Sequence, residues 1–204
     1  MNHKIKDIMD WWSQFNKTHL LISTTNNKFN IEIKTSILPH LLGLQYTLEE
    51  NQLIKGLDLF YFCYNKSDEE IFGLVRNNNV TMLQSISDRV DTFRYFMENL
   101  ESGELVENTK VGTSINSQHF IIENKDNKIL HLGLLSVSGE NTLIEYTVID
   151  KKLETYILAN NDKYYKDSLI RERIISIEKY NEQGELEPFS FKEEEIYNDY
   201  GMDM

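Results

Sequence analysis

The sequence predicts an α+β fold with an N-terminal helix and β-hairpin, central helices, and a C-terminal antiparallel β-meander. Two observations carry this reading. Apart from one early hairpin, apolar residues recur every three to four positions through the first hundred residues. From Phe120 onward they fall instead into short extended runs divided by turn-forming residues. Helical patterning first and extended patterning second is the order of an α+β chain.

Ile5, Ile8, Met9, Trp12 and Phe15 hold helical spacing and make an amphipathic helix with an aromatic end. His19–Ser23 and the alternating run Phe29–Lys34 flank Thr24-Thr25-Asn26-Asn27-Lys28, which reads as a β-hairpin. Ile37–Leu44 reads as a short helix opened near Pro39, whose fixed φ suits a first turn, and loosened at Gly43. Thr47-Leu48-Glu49-Glu50 and Ser67-Asp68-Glu69-Glu70 both match the capping box. The first precedes Leu53, Ile54, Leu57 and Phe60, and the second precedes Ile71, Leu74 and Val75, so each predicts a helix.

The clearest helix is Val80–Leu100. Leu83, Ile86, Val90, Phe93, Met97 and Leu100 form its apolar stripe, and it ends near Gly103. Strands follow at Phe120–Ile122, Ile129–Leu135, Thr142–Ile149, Leu153–Leu158 and Arg173–Tyr180. Lys125–Lys128, Ser138–Asn141, Asp150–Lys152 and Asn181–Gly184 are the turns between or after them. The expected assembly is one antiparallel sheet of hairpin and meander with the Val80–Leu100 helix packed upon it. No repeat or linker divides the chain, so residues 1–191 are expected to form one domain and 192–204 an acidic C-terminal tail.

The chain has 204 residues, with 40% hydrophobic and 26% charged, close to soluble globular averages. Bulk disorder and a collagen-like fibre are thereby disfavoured. Its longest apolar runs fall well short of the roughly 18 residues that span a bilayer. The first residues lack the apolar core and cleavage site of a signal peptide, so a cytoplasmic location without membrane association is expected. A single cysteine excludes an internal disulfide. Cys63, within the aromatic run Phe60–Tyr64, reads either as a small core residue or as a nucleophile.

The net charge is −12. Such a charge ordinarily opposes nucleic-acid binding. From Glu182 onward eight acids face one lysine, however, which leaves −5 on residues 1–181 and a body that is only mildly acidic. Phosphate-cradling glycine loops, zinc-protease, α/β-hydrolase and EF-hand strings are absent from the sequence. No zinc-type Cys/His spacing occurs, and neither a metal nor another cofactor is expected.

What remains is an ordered set of elements: the hairpin, Leu38-Pro39-His40-Leu41-Leu42-Gly43-Leu44, several helices, His131-Leu132-Gly133-Leu134, a strand centred on Thr155-Tyr156-Ile157, and Lys163-Tyr164-Tyr165 through Lys179. This order resembles the phage-type branch of the barnase, EndoU, colicin and RelE-like nuclease superfamily. The resemblance covers about Leu20 to Tyr180, and its most specific element is His40-Leu41-Leu42-Gly43-Leu44 after the hairpin. Where the pattern often carries Ser or Thr followed by two aromatics, this chain has Thr155-Tyr156-Ile157, a departure at the last position.

The resemblance implies RNA cleavage without a metal. A base removes the 2′-hydroxyl proton, that oxygen attacks the adjacent phosphorus, an acid protonates the 5′-leaving oxygen, and cations or hydroxyl donors stabilise the equatorial charge. The catalytic candidates are His40, His131 and Thr155. Imidazole has an intrinsic pKa of about 6.5, near working pH, and suits acid–base work. His40 could equally cap or pack a helix start, while His131 and His119 could belong to the core or sheet surface. Thr155 could donate to a phosphate oxygen or serve only as a strand former. Arg171, Arg173 and Lys179 alternate along one strand and could hold phosphate or form an ordinary charged face. Arg89 and Arg94 have intrahelical ion-pair partners available. Trp11 and Trp12 could stack on bases, or dock their helix into the core.

Two functions fit: a ribonuclease-like phage or toxin effector, or a non-enzymatic acidic inhibitor or interaction protein, including a degenerate nuclease fold used as a binder. The expected partner is correspondingly RNA or a protein, and the sequence leaves the oligomeric state open.

Overall fold

The computed structural model describes residues 4–49, 52–107, 117–123, 128–137, 140–150 and 171–192. The α+β class holds. Helix α1 (Lys4–Ser13) leads into strands β1 (His19–Thr24) and β2 (Lys28–Glu32). Helices α2 (Leu38–Leu41), α3 (Gly56–Tyr64), α4 (Asp68–Asn78) and α5 (Leu83–Glu98) follow. Strands β3 (Glu104–Glu107), β4 (Ser117–Glu123), β5 (Lys128–Val137), β6 (Glu140–Asp150), β7 (Arg171–Tyr180) and β8 (Leu186–Pro188) complete the described elements.

The strands form one sheet, but not the wholly antiparallel hairpin and meander that the strand patterns predict. Its order is β1-β2-β6-β5-β4-β3-β7, and β7 returns to β1, so seven strands close into a barrel with β8 attached to β7. The hairpin meets the meander through a parallel contact, Ile31 opposite Asn141, while β1 pairs antiparallel with β7 from Leu20–Lys179 to Thr24–Ile174. Closure removes the open edges that a flat sheet would leave for other chains to pair with. β3 enters this ring between β4 and β7, although its short stretch, Glu104–Glu107, carries too little alternation to read as a strand. The expected strand Leu153–Leu158 lies outside the described residues.

The inner faces of the strands and the helices share one core. A small void within it is lined only by apolar side chains, among them Leu20, Ile22, Ile31, Met97, Phe120 and Leu132. On α5, Ile86, Val90, Phe93 and Met97 are buried as the stripe requires, whereas Leu83 is half-buried at the first turn. Trp11 and Trp12 are buried, with Phe93 edge-on to both and the Phe191 ring parallel to Trp12. Neither tryptophan is available to stack on a base; both dock α1 into the core. Burial pushes the Cys63 thiol up to about 12, which leaves it a protonated core residue rather than a nucleophile.

The two capping boxes part company. Ser67 accepts from the Glu70 backbone at 3.3 Å while Glu70 accepts from the Ser67 backbone at 2.7 Å, starting α4 as expected. Thr47 does not start a helix. Its hydroxyl donates to the Leu44 carbonyl at 2.7 Å within the 3₁₀ turn Leu44–Thr47, and α3 begins only at Gly56. Of the apolar residues that follow the box, Leu53 and Leu57 are exposed, whereas Phe60 is buried on α3.

Candidate functional site

The element His40-Leu41-Leu42-Gly43-Leu44 is built almost entirely by packing. Pro39 opens α2, and Leu41, Leu42 and Leu44 are fully buried. Gly43 closes the turn with φ +78°, a left-handed conformation that L side chains rarely adopt. A Cβ there would also stand 3.2 Å from both Ile86 and the Arg89 guanidinium of α5. Arg89, which its helix position suggested for an intrahelical ion pair, reaches across to the Leu41 carbonyl at 3.5 Å. His40 alone points out: its side chain is exposed, while Leu38, Pro39 and Leu41 on the same short helix are buried. Gly43→Ala should therefore cost about 1–3 kcal/mol through backbone strain and crowding of Ile86, measured as a lower urea midpoint.

His131 sits in the middle of β5, opposite Ile121 of β4 and Thr147 of β6. Its neighbours Leu130 and Leu132 face the core, which puts the imidazole on the outer face of the barrel, as alternation predicts. The residue is half-buried there, with Nε2 shielded from solvent. Thr155 lies outside the described residues, as does any description of the His119 side chain.

The three basic residues of β7 do not share a face. Arg171 and Arg173 are exposed with Glu172 buried between them, the alternation of a strand with one face inward. At Ile175 the register with β1 skips a residue, because Ser23 faces Ser176 while Thr24 faces Ile174. This bulge reverses the alternation: Ile177 points inward, and Lys179, two residues on, follows its side rather than that of the arginines. Lys179 pairs with Glu187 of β8 at 3.0 Å, and Arg171 pairs with Glu104 of β3 at 3.2 Å.

Glu172 is the residue that the sequence reading passed over. Its side chain is buried beneath the β1–β2 turn and accepts from the Thr24 hydroxyl, the Asn26 backbone at 3.3 Å, the Asn26 amide at 3.4 Å and the Asn27 amide at 2.8 Å. Burial alone would raise its pKa, but these donors more than offset it and hold the carboxyl below the usual range. The contribution of this clasp is therefore present above the unfolded-state pKa and is lost as pH falls through the lower folded-state value. At neutral pH, Glu172→Gln should cost about 1–3 kcal/mol. Urea melts at decreasing pH should show the gap between the two proteins closing in the acid range.

Among the described residues, no group of three or more His, Cys, Asp or Glu side chains is placed to hold a metal, and no helix is long and apolar enough to cross a membrane. Over residues 4–195 the chain matches the family model described as phage-Barnase-EndoU-ColicinE5/D-RelE like nuclease4. No curated protein and no solved structure gave a significant match.

Proposed function

Because this chain belongs to the phage-Barnase-EndoU-ColicinE5/D-RelE like nuclease4 family, we propose that it is a nuclease-like effector that cleaves RNA by attack of a 2′-hydroxyl. The observation that carries this reading is the mounting of His40: buried leucines on either side, a left-handed glycine after them, and an imidazole left in solvent. Packing needs the leucines and the glycine, but it makes no use of an exposed ring. A solvent-facing imidazole carried by a packed turn is accessible for proton transfer to a bound substrate.

In this reading His40 removes the 2′-hydroxyl proton or supplies one to the 5′-oxygen. The O2′–P bond forms as the P–O5′ bond breaks, leaving a 2′,3′-cyclic phosphate and a 5′-hydroxyl. His131 and Thr155 are the remaining candidates for the second proton carrier and for a donor to the phosphate oxygens. Arg171 and Arg173 supply cationic charge on one face of β7, whereas Lys179 belongs to a different surface. His, Thr and Arg suffice for these roles, so the reaction needs no metal.

The test is incubation of purified protein with single-stranded RNAs of varied sequence in EDTA. Fragments ending in cyclic phosphate are the expected result. Full inactivity across varied RNAs would favour a nuclease fold used for binding, acting on an RNA or a basic protein partner.

A further inference from the structure

We infer that Glu172 is a positioning residue for phosphate recognition: by clasping the β1–β2 turn it sets Arg171 and Arg173 as an outward-facing pair of guanidiniums. This rests on the nuclease-like reading above and deepens it by naming the group that shapes its cationic strand.

A buried carboxylate is costly, and an apolar side chain of similar size would fill the same space without that cost. What the carboxylate adds is direction. Four donors from Thr24, Asn26 and Asn27 converge on its two oxygens, so this point of β7 is tied through its side chain to the β1–β2 turn. The Thr25 backbone donates to the Arg173 carbonyl at 3.1 Å and fixes the same segment from the main chain. Residues on either side of an inward strand position must point outward, with Cα atoms about 6.6–6.8 Å apart. Arg171 and Arg173 occupy those positions and are exposed. Glu104 of β3, in register with Arg173, holds the Arg171 guanidinium at 3.2 Å and completes a small frame at the strand's start. Two residues beyond Arg173 the bulge at Ile175 ends the alternation, so the clasp anchors β7 just before the point where its facing changes.

The experiment uses the full chain and a fluorescent single-stranded RNA in which every 2′-hydroxyl is methylated. That probe can be bound but not cleaved, which separates recognition from chemistry. Affinity is measured across a salt series for wild type, Glu172→Gln and the double variant Arg171→Gln/Arg173→Gln. Loss of two phosphate contacts should flatten the slope of log K against log salt by about 1.4, from roughly 0.7 per single-strand contact. Glu172→Gln, which keeps both arginines, should lose a comparable part of that slope. On unmodified RNA it should raise KM while leaving kcat close to wild type. A wild-type slope in Glu172→Gln, or in the arginine double variant, overturns the inference, as does failure of wild type to bind the probe. If Glu172→Gln does not fold, Asn27→Ala removes one donor of the clasp, and an unchanged slope in that variant is equally fatal. Binding that behaves as expected without cleavage of unmodified RNA upholds the role of Glu172 and refutes the ribonuclease reading alone.

Discussion

Replacing His40 by alanine is expected to slow RNA cleavage by roughly 10²–10⁴ while leaving the protein folded. The range is that of a single general acid or base. The fold should survive because the substitution touches only an exposed side chain, while Leu41, Leu42 and Leu44 keep their buried places. The measurement is single-turnover cleavage of one RNA by both proteins, paired with thermal melts that should superimpose. A matching variant at His131 separates the two histidines: that ring lies half-buried on the barrel wall, so its loss should disturb packing as well as any chemistry. Unchanged cleavage in His40→Ala would remove His40 from the mechanism and leave its element a purely structural turn.

Phe93→Ala should destabilise the protein by about 3–5 kcal/mol. Phe93 is fully buried on α5 and sits edge-on to Trp11, Trp12 and Tyr146, with ring centroids 6.5, 5.4 and 5.2 Å away. It therefore joins α1, α5 and β6 in one contact, and truncating it opens a cavity where three elements meet. Tyr146 cannot move into the space freely, because its hydroxyl is bonded to Thr92 at 2.9 Å. Equilibrium urea unfolding gives the value directly, and a loss below about 1 kcal/mol would mean that this junction is not the centre of the core.

Local patterns were legible where one interaction dominates. The α5 stripe from Ile86 onward, the β1–β2 hairpin and the Ser67–Glu70 box each depend on residues within a few positions of one another, and each forms as read. Thr47 shows the limit, since the same motif letters found a nearer acceptor in the Leu44 carbonyl. Barrel closure was illegible because it depends on pairing between distant strands, which leaves no periodic trace. Alternation groups Lys179 with Arg171 and Arg173 only for an unbroken strand, and a bulge carries no clear signal in Ile174-Ile175-Ser176-Ile177. Glu172 gives no local signal, because a glutamate between two arginines reads as one more surface charge. Its signal lay far away, in the two asparagines and the threonine of the hairpin turn.

The pairing of β1 with β7 also governs when the protein can become itself during synthesis. Leu20 must meet Lys179, so nearly the whole described chain is made before the ring can shut. At the usual 5–20 residues per second the ribosome needs roughly eight to thirty seconds to deliver the second strand after the first. Throughout that interval the early hairpin has an unpaired edge, and the turn Thr24–Asn27 lacks the carboxylate that orders it. A nascent chain therefore carries His40 well before β7 is available to close the barrel.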